Sequence, residues 1–314
     1  MTTKKKLLSA SIIAKNEEEM IGTMLDSIQG CDEIMVVDTG STDDTVKICK
    51  EKGAKVFRGY KWNDNFSEAR NVAREKSSAE WLLIIDCDEI FEHDISALRK
   101  FLESPVADNY DAIFMPVNTG FEINDQIRVF RNLPDIEWAG AFHNLPYVKN
   151  AETGGHDRID GERIFKSSFK ITANYSPNHK RDPDRTMRII EAELQKNPVN
   201  TRGLYYMARE LLNRKRVIEA IFYLERYIKI APDTNEKADS CYILATCYLD
   251  TGDIQVAVDY AMKAVALLPS LKSAWVLLYN VSHPDYKKYW KAVVEVADNK
   301  GSLFVRDAAD KVVE

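Results

Sequence analysis

The chain of 314 residues has little cysteine. Cys31, Cys49, Cys87, Cys241 and Cys247 make an odd number, and no pair stands at CxxC spacing. A reduced, cytoplasmic setting fits that count better than a disulfide framework. Long apolar runs are also missing. Nothing approaches the ~20 apolar residues of a transmembrane helix, so no membrane insertion is expected. Positive charge is not in excess: 43 Lys and Arg stand against 49 Asp and Glu, a net charge of -6. Such a balance argues against a broad electrostatic footprint for nucleic acid or anionic membrane, while leaving room for a local basic patch. A first strand, not an export signal, is expected at the N-terminus. Met1 to Lys6 is basic, but the apolar stretch Leu7 to Ala14 is short, broken by serines, and runs into Lys15-Asn16-Glu17-Glu18-Glu19 without a cleavage site.

What is present reads as an ordinary soluble globular protein, 45% hydrophobic and 29% charged. The length favours two domains at roughly 100–200 residues each. In the first half, apolar strands alternate with amphipathic helices. Strands are expected at Leu7–Ala14, Glu33–Val37, Ala54–Phe57 and Trp81–Ile85. Between them, a helix follows Asn16, with Glu19 completing a capping-box-like pair. A second is capped by Ser41 with Asp44 at its third position, and a third spans Phe66–Lys76. Continuously apolar strands separated by helices imply a parallel sheet covered on both faces. Further strands are expected at Ala112–Val117, Gln126–Arg131 and Phe169–Tyr175, with a polar, mobile loop over Asn150–Glu162.

The pattern changes near Ser176, and Asp182-Pro183 makes a good helix start. Beyond it every strong segment has helical period. Ala208, Leu211, Ala220, Leu224, Tyr227 and Pro232 recur 37 residues later as Ala245, Tyr248, Ala257, Ala261, Ala264 and Pro269. Small residues at helix crossings and a closing proline are tetratricopeptide features, and the three residues beyond the usual ~34 are expected in the turn Asp233–Lys237. A third, degenerate unit from Trp275 reads as a terminal cap. The expected domains are therefore 1–180 and 181–314.

Four segments carry candidate chemistry. Asp86-Cys87-Asp88 directly follows the apolar strand WLLII, and ligands of open α/β sheets bind beyond the carboxyl ends of strands. Two carboxylates there can serve a sugar and a hard divalent ion, Mn2+ or Mg2+, that neutralises a nucleoside diphosphate leaving group. The same residues can equally be two solvated acids. Asp38 ends another strand beside Thr39-Gly40-Ser41. It can accept a hydrogen bond from the N3–H of uracil, and Gly40 lets backbone approach a ligand. Ala14-Lys15-Asn16-Glu17 closes the first strand, where a carboxylate can meet the donor's nucleoside or Asn16 can simply cap a helix. In Asn65-Phe66-Ser67-Glu68-Ala69-Arg70-Asn71, Arg70 can pair with diphosphate or with Asp86.

Together, ASIIAKNEEEMIGTMLDSI, EIMVVDTGSTDDTV, FSEARN and WLLIIDCDE resemble the family-2 glycosyltransferases of the GT-A fold over the first ~130 residues. The resemblance implies an α/β GT-A domain and metal-dependent, inverting transfer from a nucleotide sugar, with a UDP-sugar favoured. It places Asp38 at the nucleobase, Glu17 near the nucleoside, and Asp86, Cys87 and Asp88 at the sugar and metal. Lys61-Trp62, Arg128-Val129-Phe130-Arg131 and Trp138-Ala139-Gly140-Ala141-Phe142-His143, followed by repeats, are similar to the branch of bacteriocin S-glycosyltransferases and phage enzymes. That likeness makes His143 a candidate third metal ligand with Asp86 and Asp88. Arg128 and Arg131 are expected to stabilise phosphate or to hold a lid to the core. Two departures stand out: Asn144 replaces the glutamate that follows the histidine, and Asn174-Tyr175-Ser176 stands where a later H-x-G-Y segment belongs. The base that accepts the acceptor's proton is then sought among His143, Asp135, Glu137, Asp157, Asp160 and Glu162. Segments 118–128 and 150–165 are expected to close over the donor.

The repeat domain suggests a peptide or protein acceptor, a partner that delivers one, or a homodimer contact. Modified DNA is a less favoured acceptor; the stretch Asn178-His179-Lys180-Arg181 with Arg185 and Arg188 is the basic feature that would serve it. A nucleotidyltransferase would carry a Gly-rich basic loop after the first strand, where this chain has Asn16-Glu17-Glu18-Glu19. A repeat adaptor with a decayed transferase domain would not be expected to keep both D-x-D and Asp38.

Overall fold

The computed structural model describes residues 6–120, 123–142, 144–174, 176–177, 181–232, 235–298 and 300. The chain divides into two compact units, Met1–Arg185 and Thr186–Glu314.

In the first unit, β1 (Leu8–Ala14), α1 (Ile21–Ser27), β2 (Glu33–Asp38), α2 (Thr45–Glu51), β3 (Lys55–Phe57), α3 (Phe66–Lys76) and β4 (Trp81–Ile84) alternate along the chain. Next come β5 (Glu89–Phe91), α4 (Ile95–Leu102), β6 (Ala112–Asn118), β7 (Ile123–Arg131), β8 (Ile136–Ala139), β9 (Leu145–Lys149), β10 (His156–Arg158), β11 (Ile164–Lys166) and β12 (Ile171–Ala173). The main sheet runs β3-β2-β1-β4-β7-β6-β12-β5, with β11 also on β6. The β3-β2-β1-β4 block is parallel and β7 enters antiparallel, so the sheet is mixed but mostly parallel. β10-β9-β8 form a small antiparallel sheet. Burial explains the apolar strands: Leu8, Ala10, Ile12, Leu82 and Leu83 are fully buried, with Ile21, Leu25 and Leu98 packed over the sheet from α1 and α4.

The second unit is helical: α5 (Arg185–Lys196), α6 (Thr201–Asn213), α7 (Val217–Ile230), α8 (Asn235–Thr251), α9 (Ile254–Leu267), α10 (Lys272–Val281) and α11 (Pro284–Val296). Successive helices pack on their chain neighbours. Ala208, Ala245, Ala220, Ala257, Leu224 and Ala261 are all fully buried, so the repeat is a repeat of close helix crossings. An α/β domain with a mixed, mostly parallel sheet followed by an all-α unit, the organisation expected from the sequence, is observed.

Several local expectations need correction. Asn16 does not cap a helix; it sits at φ 56° in the left-handed region and α1 opens at Ile21. Ser41 does not cap α2, which opens at Thr45. Residues 123–128 are not a lid loop but part of the hairpin of β6 and β7, in which Asn118 pairs Ile123. Much of 150–165 is likewise ordered, holding β10 and a 3-10 turn at Gly161–Arg163. The extra residues of the repeat do not all lie in a turn: Asn235–Lys237 belong to α8, which has 17 residues against 13 in α6. Residues 233 and 234 lie outside the described residues.

Candidate active site

The parallel strands β2, β1 and β4 end side by side. Ala14 pairs Asp38 in the ladder, and the Thr39 N–H donates to the Ala14 carbonyl at 2.9 Å. Asp38 is 2% exposed. Its Oδ1 accepts the Ser41 N–H at 2.9 Å and its Oδ2 accepts Arg58 Nε at 3.2 Å. Gly40, at φ 112°, makes the turn after it; a Cβ there would meet nothing within 4 Å, so the requirement is conformational.

The loop after β1 and the loop after β2 are stitched together. Asn16 N–H donates to Ser41 Oγ at 3.0 Å, and Asn16 Oδ1 accepts the Thr42 N–H at 2.7 Å. Glu17 N–H donates to Thr45 Oγ1 at 2.7 Å. Glu18 N–H donates to Asp43 at 3.2 Å, and Glu18 accepts the Asp44 N–H at 2.9 Å. The Glu17 carboxylate accepts Ser176 Oγ at 2.7 Å, and the Ser176 N–H donates to Asp88 Oδ2 at 3.3 Å. Ser176, 1% exposed, thus connects two candidate carboxylates that lie 71 positions apart in the chain.

Beyond β4, Asp86-Cys87-Asp88-Glu89 forms a turn closed twice. Glu89 N–H donates to the Asp86 carbonyl at 3.0 Å, and Glu89 Oε2 accepts the Asp86 N–H at 2.8 Å. Cys87 turns its thiol into the core, donating to the Ile13 carbonyl at 3.4 Å; burial pushes its pKa well up. Its side chain therefore faces away from any donor, against expectation. Asp86, 40% exposed at its side chain, accepts Arg70 Nη2 at 2.7 Å and lies 3.9 Å from Arg128 Nη1. Arg70 comes from α3, which Asn65 caps by accepting the Glu68 N–H. Its guanidinium lies 5.1 Å from the Trp138 ring centroid. Asn71 fixes Trp138 by accepting its N–H at 2.8 Å and donating to its carbonyl at 3.0 Å. Among the described residues, the buried Nε and Nη1 of Arg70, Nε of Arg128 and Nε1 of Trp138 have no hydrogen-bond partner. Buried donors left over beside a candidate site suit an oxygen-rich ligand.

Glu89 was not singled out in the sequence. It is 4% exposed and accepts Arg128 Nη2 at 2.5 Å. Burial pushes its carboxyl up, the Arg128 guanidinium pulls it back, and Asp86 adds to the upward push.

Two expected site residues do not join this cluster. Arg131 faces Trp81, at the amino end of β4. There it donates to Glu80 at 2.8 Å and to the Tyr110 and Ala107 carbonyls, with its guanidinium 4.3 Å from the Trp81 ring centroid. It braces the fold there, at the opposite end of β4 from Asp86. Glu137 neighbours Trp138 on β8, and successive strand residues face opposite sides. Its carboxylate is committed to His156 at 2.7 Å in the small sheet. His143 lies outside the described residues, as do residues 178–180 of the basic stretch. Asp157 accepts Asn150 Nδ2 at 2.7 Å and Asp160 caps the 3-10 turn, so both have structural partners.

Comparison with known proteins fits this geometry. The family described as Glycosyl transferase family 2 matches residues 9–196, and a Tetratricopeptide repeat matches residues 238–270. The chain belongs to glycosyl transferase family 2. It is similar to the SPbeta prophage-derived glycosyltransferase SunS of Bacillus subtilis, 28% identical over 286 residues that cover 83% of this chain and 67% of that protein. A TPR repeat-containing protein of Synechococcus elongatus is 34% identical over 261 residues, covering 80% of this chain and 64% of its own. The chain thus spans about two thirds of the length of these relatives. Among solved structures, Staphylococcus aureus TarS 1-349 in complex with UDP-GlcNAc matches with a TM-score of 0.44 and 17% identity, over 95% of this chain and 93% of that one. Likenesses of that size leave the chemistry to be argued from this chain's own residues.

Proposed function

We propose that the protein is an inverting glycosyltransferase that takes a sugar from a nucleotide sugar, a UDP-sugar by preference, in a reaction that depends on Mn2+ or Mg2+. The observation that carries this reading is the convergence at one sheet edge of Asp38, Glu17, Asp86 and Asp88, with leftover arginine donors beside them. The buried Asp38 carboxylate is suited to the N3–H of a uracil, with Arg58 alongside. Arg70, neutralised on one side by Asp86, retains two buried N–H groups for diphosphate oxygens.

The donor set suits a hard cation in a particular way. Among the described residues no group of three or more His, Cys, Asp and Glu side chains could hold a metal together. Asp86 is drawn to Arg70 and Arg128, which leaves Asp88 as the main carboxylate ligand. One or two carboxylates plus substrate phosphates are a common way to hold Mg2+, and Mn2+ suits the same oxygen ligands. When bound, the ion would neutralise charge on the departing diphosphate. The acceptor then attacks the anomeric carbon from the face opposite the diphosphate, a new bond to the acceptor forms as its proton passes to a base or to water, and the bond to the diphosphate oxygen breaks with its electron pair. Arg70 and Arg128 hold positive charge near where that negative charge grows.

A peptide or protein acceptor is supported by the tetratricopeptide repeat, since such repeats build extended binding surfaces. A thiol acceptor, with a pKa near ~8.5, needs little help from a base. A cytoplasmic setting is supported by the five free cysteines and by the absence, among described residues, of a helix long and apolar enough to cross a membrane. The test is a thermal-shift panel of UDP-, GDP-, CDP- and TDP-sugars with and without Mn2+, on wild type and Asp88→Ala. One donor should raise the melting point of wild type only with metal, and the variant should lose that response. No stabilisation at millimolar donor, or an equal response in the variant, overturns the reading.

A further inference from the structure

Glu89 occupies a position that neither ligand binding nor solvation explains. It is among the few buried acids of the chain, at 4% exposure, yet it lies one residue beyond the acid proposed to hold metal. Both its oxygens are used within the protein. Oε2 accepts the Asp86 N–H at 2.8 Å, and Oε1 accepts Arg128 Nη2 at 2.5 Å. Its own N–H returns to the Asp86 carbonyl at 3.0 Å. The residue therefore grips the start of the turn through backbone and side chain together. Arg128, 7% exposed on β7, is held by the same carboxylate so that its other terminal nitrogen lies 3.9 Å from Asp86 Oδ2. On the far side of the turn, Cys87 is fixed to the Ile13 carbonyl and the Asp88 carbonyl to the Asn174 N–H at 2.8 Å.

We infer that Glu89 is a positioning residue: its carboxylate sets the turn that aims Asp86 and Asp88 outward and seats the Arg128 guanidinium beneath Asp86. This inference rests on the functional reading above. A carboxylate satisfies a backbone N–H and a guanidinium at once; an amide offers one oxygen for both. Glu89→Gln should therefore let the turn relax and leave the buried Arg128 with only the more distant Asp86 carboxylate as counter-charge. The metal-dependent part of nucleotide binding should suffer, while contacts made by Asp38 should not.

The same β4–β7 strand pair supplies its own control at its other end, where Glu80 pairs Arg131 at 2.8 Å. UDP affinity is measured by titration calorimetry with and without Mn2+ in wild type, Glu89→Gln, Glu89→Asp, Arg128→Lys and Glu80→Gln. In Glu89→Gln the affinity with Mn2+ should fall about 10-fold, within the range for residues that orient a metal's ligands. Its affinity without Mn2+ should hold. Arg128→Lys should lower the affinity with Mn2+ at least as much, because one ammonium does not reproduce a two-pronged guanidinium contact. Glu89→Asp, which keeps the charge, should recover part of the loss. Glu80→Gln should lower the melting point and leave both affinities alone. If folded Glu89→Gln binds UDP with Mn2+ as wild type does, the inference is overturned. If Glu89→Gln does not fold, the Arg128→Lys result decides the matter in the same way. Wild-type protein that binds UDP no better with Mn2+ than without overturns the functional reading, and the inference with it.

Discussion

The two ends of β4 use the same residue types and leave them in different states. At the amino end, Arg131 spreads its guanidinium over Glu80, two backbone carbonyls and the Trp81 ring, and no nitrogen is left over. Nearby, Glu33 is saturated in the same manner by Lys6 at 2.7 Å, Lys55 at 2.8 Å and Ser78 N–H at 2.7 Å. At the carboxyl end, Arg70 and Arg128 crowd around Asp86 and still keep buried N–H groups without partners among the described residues. An arginine with every donor used is a fastener. One held in place by carboxylates, with donors to spare, is poised for something that arrives. Leaving a buried donor unmet costs about 1–3 kcal/mol, so the carboxyl end is destabilised where the amino end is not.

The sharpest way to break this comparison is to remove one arginine from each end. Arg131→Met should lower stability by about 3 kcal/mol in urea unfolding, because it strands Glu80 and two carbonyls, while UDP affinity stays within twofold of wild type. Arg70→Met should do the reverse, weakening UDP binding by at least 10-fold with a much smaller change in stability. If the two variants show the same profile, the distinction between the ends is wrong. A smaller effect separates the ends by pH. Burial alone would raise the Glu33 pKa, but hydrogen bonds from Lys55, Lys6 and Ser78 bring it down to about 2. A folded pKa below the unfolded value contributes stability that is complete above about pH 4.5 and is lost as pH falls toward 2. With the exposed Lys55 discounted for solvent screening, that contribution is on the order of 1 kcal/mol. Urea midpoints of wild type and Glu33→Gln should converge as pH is lowered from 5 to 2.5, by an amount of about that size. The smallest effect is expected at Trp138. Replacing it with Phe keeps a ring under Arg70 but removes the indole N–H, and UDP affinity should drop about two- to fivefold.

Much of the first unit could be read in advance because apolar strands ending in acids are a local signal. WLLII followed by Asp86, and EIMVV followed by Asp38, point to the carboxyl edge without any knowledge of neighbours. Arg128 and Arg131 could not be told apart that way. They lie three apart on one strand, and only the antiparallel register, which sets Arg131 against Trp81 and Val129 against Leu83, sends one to each end of β4. Glu89 was overlooked for the same reason. In sequence it is one more acid after D-x-D, and its partner lies 39 positions away. Glu137 misled because its neighbour Trp138 does reach the cluster, and strand alternation turns the carboxylate to the other face. Asn16 and Ser41 looked like helix caps because cap residues and loop-stitching residues are the same few polar types, and only their mutual contact at 3.0 Å distinguishes the roles.

That contact belongs to a seam whose consequence is mechanical. The loops after β1 and β2 hold each other through hydrogen bonds from Asn16, Glu17 and Glu18 on one side and Ser41 to Thr45 on the other. Neither loop can lengthen, shorten or swing without taking the other along, so residues 15–18 and 41–45 behave as a single moving part. Variation that retunes this edge for a different donor therefore has to enter elsewhere, or alter both loops together.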